Sequence, residues 1–437
     1  MHLTEPAHGE HGYLLPKPQA WFAFGLSFLL MTFDFIDRQI VVSMFPYLKA
    51  EWALSDRELG ALISVVSLTI AITTLPLSLL VDNWSRVKGV VVMATVWSLA
   101  TIACAFAGSY QRLFVARAFI GLGEAGYGPA AGAILSSIFP TRMRATIIGG
   151  FLAAASFGSV LGVVLGGVIA ARWGWKTAFG IVGIPGLVLA VLYMFVRDYG
   201  APKLESRSPI GCDGARGIAR ELFRARSGIA AYFAGALQLV TVSTILAWLP
   251  SFFNRVYGLP ADRSGIWAAG VIVCATFGAV FWAGVADRFA RRDPRGRMMV
   301  TAACCLATFG VFLLAFGILA PGALQIGAIV LGAFVMSATT GTVPAVAIDV
   351  VHPALRSTAG SMVAIVQNLF GLGVGPLING ALSDAFGLQA AMAIMPASCG
   401  LAAVILVLGS RSYPADRAAA ATHRVRVETL DAVPQAA

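Results

Sequence analysis

Charged residues are scarce in this chain. Of its 437 residues only 12% are Asp, Glu, Lys or Arg and 58% are hydrophobic, whereas about a quarter of the residues of a typical soluble domain are charged. Most of the hydrophobic residues fall in long uninterrupted runs. Runs of about 20 apolar residues are long enough to cross a bilayer as helices. The composition therefore excludes an ordinary soluble protein and predicts a polytopic membrane protein.

The sequence signatures of common enzymes are also missing. No GxxxxGK[ST] phosphate loop, HExxH zinc motif or GxSxG serine motif occurs, and the chain has only 5 His. Its 6 Cys include no CxxC pair, so they indicate neither a disulfide framework nor a metal site. The run GLGEAG (Gly121 to Gly126) spells GxGxxG, but it lies inside an apolar segment with no strand before it. We therefore expect no enzyme activity, no metal and no cofactor, with a proton gradient as the energy source.

Positive charge is in excess, with 31 Lys and Arg against 21 Asp and Glu. Such an excess can indicate a nucleic-acid partner, but here most of the positive residues fall in alternate loops between apolar runs. This distribution is typical of membrane proteins, whose cytoplasmic loops are enriched in Lys and Arg. It predicts cytoplasmic N- and C-termini, no nucleic-acid partner, and location in a bacterial inner membrane as a multi-pass protein.

Turn residues and charges divide the chain into twelve apolar segments, which we call spans 1 to 12. Their approximate bounds are 20–45, 57–81, 88–108, 112–136, 145–171, 177–196, 229–254, 264–286, 298–319, 323–348, 357–381 and 389–409. The predicted fold is an all-α polytopic membrane protein with twelve transmembrane helices in two pseudo-symmetric six-helix bundles. The bundles cover 20–196 and 229–409, joined by a cytoplasmic linker at 197–228 and flanked by cytoplasmic tails at 1–19 and 410–437.

Matching motifs in the two halves indicate an internal duplication. VDNWSRVK (Val81 to Lys88) follows span 2, and ADRFARR (Ala286 to Arg292) follows span 8. Span 5 contains GSVLGVVLGG (Gly158 to Gly167), and span 11 contains GLGVGPLING (Gly371 to Gly380). Small residues at four-residue spacing let helix backbones approach closely. Their recurrence at matched positions favours the repeated architecture of secondary transporters.

The repeated loop resembles the signature of the Major Facilitator Superfamily, an acid followed by spaced basic residues after the second helix. Asn83 and Ser85 depart from it, since Arg and Gly are usual at those positions. The resemblance implies that the motif residues help to close a cytoplasmic gate, and an acid there can cap a neighbouring helix. The alternative is that they are only inside-positive turns. The residues concerned are Asp82, Arg86 and Lys88 in the first copy and Asp287, Arg288, Arg291 and Arg292 in the second.

Four longer stretches resemble the Spinster-like branch of that superfamily. They are FDFIDRQIVVSMFPYLKAEW (Phe33 to Trp52), RAFIGLGEAGYGPA (Arg117 to Ala130), LAWLPSFFNRVYG (Leu246 to Gly258) and DVVHPALRSTAG (Asp349 to Gly360). The resemblance implies transport of lysophospholipids or sphingoid phosphates, often coupled to protons. The organic anion symporters are the next most similar branch, so a small carboxylate is the alternative substrate.

Five charges lie inside spans 1 and 4. Asp34, Asp37 and Arg38 share one helical face, and Arg117 and Glu124 lie about two turns apart on another helix. Each would cost roughly 2.5 to 3.5 kcal/mol at the bilayer centre on insertion scales. The charges must therefore pair, bind protons or face water.

Three acids against two bases leave one carboxylate able to hold a proton. Because a carboxyl group removed from water binds a proton more readily, we predict Asp37 and Glu124 as proton carriers, with Asp34 as a further candidate. Arg38 and Arg117 would bind an anionic headgroup. In the alternative interpretation, Asp37 with Arg38 and Arg117 with Glu124 are structural ion pairs.

The second half offers hydroxyl and amide groups at the matching places instead of charges. One charged wall and one mainly apolar wall would suit an amphiphile, and would also suit an aromatic acid. Trp248 could line the apolar wall or could be an interfacial anchor. The predicted substrate-binding residues here are Gln238, Thr241, Trp248, Thr339, Thr340, Gln367 and Asn368.

These features predict a monomeric secondary transporter that works by alternating access, with a site formed by spans 1, 4, 7 and 10. Its partners would be a small-molecule or lipid substrate and the surrounding membrane lipids. The alternatives are a proton-coupled symporter of small organic anions and, from another class, a transport-inactive membrane sensor.

Overall fold

The structure, a computed structural model, describes residues 13–198, 214–351 and 355–420. Within these ranges all regular secondary structure is helical. A helix satisfies its backbone N–H and C=O groups internally, as the lipid core requires. The first part of the predicted N-terminal tail, the middle of the predicted linker and the end of the predicted C-terminal tail lie outside the described residues.

The first half contains seven α-helices. Serine side chains begin three of them: Ser55, Ser85 and Ser109 each accept a backbone N–H of the first turn. Ser55 forms a full capping box with Glu58. The helices are α1 (Lys17–Trp52), α2 (Asp56–Trp84), α3 (Arg86–Ala105), α4 (Tyr110–Glu124), α5 (Tyr127–Ile138), α6 (Arg144–Trp173) and α7 (Trp175–Tyr193).

The second half begins with a short helix, α8, and continues with membrane-spanning helices like those of the first half. Two π-helical turns, Leu314–Ile318 and Asn368–Leu372, interrupt it. The α-helices are α8 (Gly214–Leu222), α9 (Arg226–Tyr257), α10 (Ala261–Ala290), α11 (Gly296–Leu313), α12 (Ala323–Met336), α13 (Thr339–Asp349), α14 (Arg356–Gln367), α15 (Gly375–Phe386), α16 (Leu388–Ile394) and α17 (Ala397–Ser410).

Eleven helical stretches in the described residues are long and apolar enough to cross a membrane. The remaining predicted segment is span 4. It is helical but is divided into α4 and α5 at Ala125 and Gly126. Pro129 explains the division, because a proline cannot donate to the carbonyl four residues earlier and its ring clashes with that carbonyl. The predicted all-helical membrane fold is therefore confirmed, although span 4 is divided, as are span 10 between α12 and α13 and span 12 between α16 and α17.

The chain forms two compact units. Unit 1 comprises Met1–Lys203, Leu246–Val273 and Pro376–Asp384, and unit 2 comprises Leu204–Ile245, Cys274–Gly375 and Ala385–Ala437. Unit 1 therefore includes the end of α9, the start of α10 and nearly all of α15, in addition to the first half of the chain. The structure differs here from a simple division at the linker.

Glycines allow close helix contacts in both units. In unit 1 a Cβ on Gly162 of α6 would lie 2.7 Å from the carbonyl oxygen of Ile36 in α1. In unit 2 a Cβ on Gly375, at the start of α15, would lie 2.5 Å from the carbonyl oxygen of Val240 in α9. Span 5 thus packs on span 1 as span 11 packs on span 7. This equivalence supports the internal duplication.

Candidate functional site

The five intramembrane charges meet inside unit 1. The middle of α1 supplies Asp34, Asp37 and Arg38, and α4 supplies Arg117 and Glu124. Asp34 and Glu124 are each 3% exposed, and Asp37 and Arg117 are each 1% exposed. The Arg38 side chain is 22% exposed. The cluster is therefore almost completely buried, and Arg38 is its most accessible member.

Arg38 lies between two acids. Its Nε donates to Oδ1 of Asp34 at 2.9 Å and lies 3.0 Å from Oε2 of Glu124. Nε has a single hydrogen, and that hydrogen points at Asp34. As a result, neither oxygen of Glu124 accepts a hydrogen bond from the described residues. Burying a carboxylate without a hydrogen bond is energetically unfavourable.

The helix break adds to this effect. Glu124 is the last residue of α4, where the helix dipole presents partial negative charge, and a negative side chain there is unfavourable.

The glycines around Glu124 allow close packing: a Cβ on Gly123 would lie 2.6 Å from the backbone nitrogen of Trp97. The GxGxxG spelling is thus explained by close helix contact.

Asp37 and Arg117 form the second part of the cluster. Oδ2 of Asp37 accepts a hydrogen bond of 2.7 Å from Thr101. Arg117 donates to two backbone carbonyls, from Nε to Leu62 and from Nη1 to Asp37, each at 3.2 Å. It makes no ion pair within the described ranges. The alternative pairs, Asp37 with Arg38 and Arg117 with Glu124, are therefore not the pairs observed.

Two predicted substrate ligands in unit 2 are bonded to backbone at helix breaks. Nε2 of Gln238 donates to the carbonyl oxygen of Met336, the last residue of α12, at 2.6 Å. Oγ1 of Thr241 donates to the carbonyl oxygen of Met395, between α16 and α17, at 3.3 Å. Both side chains are buried. Neighbouring helices commonly supply such donors where a membrane helix is interrupted.

The other predicted ligands are scattered. Trp248 is fully buried in unit 1, with its ring 5.2 Å from that of Phe45, so it is not an interfacial anchor. Thr339 is buried and Thr340 is exposed. Gln367 and Asn368 are half-buried at the second π-helical turn.

The second copy of the loop motif takes part in a charge network in unit 2. Asp287 pairs with Nη2 of Arg297 at 2.7 Å, and Nη1 of Arg297 pairs with Asp349 at 2.8 Å. Tyr413 donates to the same Asp349 oxygen at 2.9 Å. Burial, and then the negative charge of Asp349, raises the pKa of Tyr413 to about 12, so it remains a donor. Sequence reasoning missed Arg297 and Tyr413, because single polar residues at helix ends look like ordinary interface residues.

The remaining predicted gate residues differ in their exposure. Arg288, Arg291 and Arg292 are exposed. In the first copy Lys88 is exposed and Arg86 is half-buried, and the side chain of Asp82 lies outside what the structure describes. Nearby, Ser85 caps α3 and donates to Asp198 at 2.6 Å.

A second charge cluster, which we call the Asp56 latch, lies in unit 1 where α1 ends. Oδ1 of Asp56 lies 2.6 Å from Nζ of Lys49, and both Asp56 oxygens accept from the Arg255 guanidinium, at 2.6 and 2.8 Å. Ser383 also donates to Asp56. The backbone N–H of Asp56 donates to Asp384 at 2.8 Å. The latch joins α1 and α2 to the ends of α9 and α15, and no sequence signal identified it.

The fold is that of a multi-pass α-helical membrane protein. A buried cluster of three acids and two arginines inside its membrane segments is typical of transporters. The family model of the Major Facilitator Superfamily matches residues 27–372, which is well over half of the chain. The chain therefore belongs to the Major Facilitator Superfamily. The predicted superfamily is confirmed. Because the family and the relatives are transporters, the protein is a transporter and not an enzyme.

Individual relatives fall in several branches. A solved bacterial homolog of the human lysosomal transporter Spinster, inward-facing and unoccupied, has a TM-score of 0.82 and 22% identity, covering 92% of this chain and 99% of that one. An MFS-type efflux pump of Mycolicibacterium smegmatis is 27% identical, over 84% of this chain and 85% of the relative. Protein spinster homolog 1 of Xenopus laevis is 25% identical, over 82% and 72%. The hexuronate transporter of Bacillus subtilis is 24% identical, over 82% and 87%.

Proposed function

We propose that this chain is a proton-coupled secondary transporter of an anionic amphiphile, such as a lysophospholipid or a sphingoid phosphate. The observation that carries the proposal is the single Nε–H of Arg38, which lies between Asp34 and Glu124 and leaves Glu124 without a hydrogen bond. We propose further that the protein is a monomer in a bacterial inner membrane, with both termini in the cytoplasm.

The proton is assigned to Glu124. With all five groups ionised, Asp34, Asp37 and Glu124 exceed Arg38 and Arg117 by one negative charge, and one proton removes the excess. Glu124 is buried, lies at the negative end of a helix and accepts no hydrogen bond from the described residues. With Glu124 protonated, Arg38 would pair with Asp34 alone.

The anion is assigned to Arg38. Arg117 is fully buried and bonded to two carbonyls, whereas the Arg38 side chain is partly exposed and lies 5.0 Å from the Phe35 ring. A bound phosphate or carboxylate would draw Arg38 away from Glu124, and Glu124 would then bind a proton more tightly. By thermodynamic linkage the proton would strengthen anion binding equally. This coupling favours joint movement of anion and proton.

The class of anion rests on the partly exposed Arg38 guanidinium, which lies beside the Phe35 ring and so offers a cation next to an apolar surface. The resemblance of spans 1, 4 and 7 to the Spinster-like branch implies a lipid-like substrate, and a Spinster homologue is among the relatives. Similarity to the hexuronate transporter favours a small carboxylate, which is our second candidate. Arg38 would bind the anionic group in either case.

Two networks are proposed as gates. With the termini in the cytoplasm, the Asp56 latch lies at the outer end of unit 1, and the Arg297 network lies at the cytoplasmic end of unit 2. Each network joins side chains from several helices. Alternating access would require the two networks to break at different steps.

Proton flux into proteoliposomes tests the proposal. Purified protein would be challenged with lysophospholipids, sphingoid phosphates and small carboxylates in separate assays. We expect flux with an amphiphile, and loss of at least tenfold in Glu124→Gln, which cannot carry a proton. Glu51→Gln is the matched control, because Glu51 is an acid of α1 outside the cluster.

Three outcomes would count against the proposal. Flux with small carboxylates alone would select the second candidate. Normal coupled flux in Glu124→Gln would remove the proton assignment. No flux with any compound, in protein shown to be folded, would reject the proposed substrates and coupling together.

A further inference from the structure

A groove runs along the surface of unit 2 between α9 and α17. Its volume is about 510 Å³. Apolar side chains line most of its length, including Phe233 and Leu408, which are 52% and 55% exposed. Arg226, the first residue of α9, and Arg411, just after α17, line it at one end. We call it the α9–α17 groove.

Close helix packing forms the floor of the groove. A Cβ on Gly409 would collide with the Ala230 side chain and would lie 3.1 Å from Cε of Met298. Glycine at this position therefore lets α17 touch α9 there. The larger side chains of the two helices stand on either side of this contact and form the walls.

The two arginines at the groove end have no paired acid among the described residues. Both are exposed, and neither forms an ion pair in the part of the chain that the structure describes. Two acids of the same unit are occupied elsewhere: Asp416 accepts from the backbone N–H and the hydroxyl of Ser227, at 2.9 and 2.6 Å. Asp349 accepts from Arg297 and Tyr413. Two guanidinium groups, without an ion pair to any described acid, thus lie where two membrane-spanning helices leave the apolar core.

We propose that the α9–α17 groove binds an anionic phospholipid. The phosphate lies between Arg226 and Arg411, and an acyl chain follows Phe233 and Leu408 along the groove. Guanidinium groups bind phosphate through paired hydrogen bonds, and basic pockets between membrane helices at the headgroup level suit acidic lipids. The groove accordingly selects net negative charge and an acyl chain together. This site is separate from the charge cluster of unit 1.

A second groove in the protein provides a comparison. Between α3 and α4 in unit 1, Phe106, Val115 and Phe119 form a similar apolar lining, but Arg112 is the only arginine. One cation gives less attraction for a phosphate than two. We therefore expect this groove to hold an acidic lipid more weakly, with little difference from a neutral one.

Native mass spectrometry of the full-length protein tests the site. The protein in a non-ionic detergent would be incubated with dioleoyl phosphatidylglycerol or, separately, dioleoyl phosphatidylcholine, and retained lipid would be counted. We expect phosphatidylglycerol to be retained in preference to phosphatidylcholine. Arg226→Gln/Arg411→Gln should weaken phosphatidylglycerol binding by about thirtyfold, because each basic residue contributes about fivefold to the attraction.

Two further variants separate the site from general surface charge. Arg220→Gln removes an exposed arginine of α8 that does not line the groove, and it should change binding less than twofold. Leu408→Trp fills the apolar part and keeps both arginines, and it should weaken binding at least fivefold. Each variant would first be shown to be monodisperse and to unfold within a few degrees of the wild type.

Several results would overturn the proposal. Equal retention of both lipids, or undiminished binding in the double arginine variant, would exclude an anionic lipid site here. An equal loss in Arg220→Gln would mean diffuse surface attraction. Unchanged binding in Leu408→Trp, or full displacement of the lipid by glycerol phosphate, would mean that the headgroup alone is bound and that no acyl chain lies in the groove.

Discussion

Arg38 and Arg117 are both cations inside the membrane segments, but their surroundings differ. Arg38 contacts two carboxylates and is partly exposed, whereas Arg117 is buried and donates to two carbonyls. A lysine in either place keeps the charge but lacks the planar fork of donors. The same substitution should therefore have different consequences at the two positions.

We expect Arg117→Lys to lose one of its two hydrogen bonds and about 1 to 3 kcal/mol of stability, while the folded protein still transports. Arg38→Lys should unfold close to the wild type but lose at least tenfold in anion flux, because paired hydrogen bonding to the anion is lost. Thermal unfolding and flux per folded molecule measure the two effects. The reverse division, with Arg38 essential for folding and Arg117 for flux, would contradict the assignment of the anion to Arg38.

At the scale of the helix, the glycines of α6 differ sharply in what surrounds them. Gly162 faces the backbone of α1, and an added Cβ would lie 2.7 Å from the Ile36 carbonyl oxygen, whereas nothing lies within 4 Å of an added Cβ on Gly149. Gly162→Ala should therefore destabilise by about 1 to 3 kcal/mol through overpacking. Gly149→Ala should stabilise by up to about 1 kcal/mol through helix propensity. Thermal unfolding of both variants in one detergent would compare them, and equal shifts would show that α1 and α6 are not in close contact.

Individual helices were largely predictable from the sequence, because each apolar run is long and clearly bounded. The break between α4 and α5 was not predicted, because glycine and proline also occur in continuous membrane helices, and only the surrounding structure decides whether Pro129 bends or divides the helix. The break matters for the site. It places Glu124 at a helix end. The spacing of seven residues suggested that Glu124 pairs with Arg117, but in the structure Glu124 lies beside Arg38.

For the whole molecule, contacts between distant parts of the chain were beyond sequence reasoning. Asp56 and Arg255 are 199 positions apart, and each looks like an ordinary charge at a helix end. The local sequence pattern of a helix does not predict which residues of another helix it will contact. The Asp56 latch and the Arg297 network therefore appeared only in the structure, whereas the duplication itself was readable from repeated motifs.

The Asp56 latch leads to a prediction about the conformational equilibrium. Asp56→Asn should weaken the contacts of α2 with the ends of α9 and α15, because a neutral amide cannot hold both Lys49 and Arg255. Partly exposed Arg255 limits the effect, so we expect a loss of about 1 to 3 kcal/mol. Such a loss shifts a two-state equilibrium roughly 5- to 150-fold. Hydrogen exchange at 246–257 and 376–384 should quicken accordingly.

The interior of unit 1 provides the control region for this measurement. Exchange at 158–166, where α6 packs on α1 through glycines, should not change in Asp56→Asn, because those contacts do not involve the latch. Glu51→Gln, a neighbouring acid that pairs with Lys176 instead, should leave exchange at the latch unchanged. Faster exchange throughout unit 1 would indicate general destabilisation. Unchanged exchange at the ends of α9 and α15 would mean that the Asp56 ion pairs do not hold the latch closed.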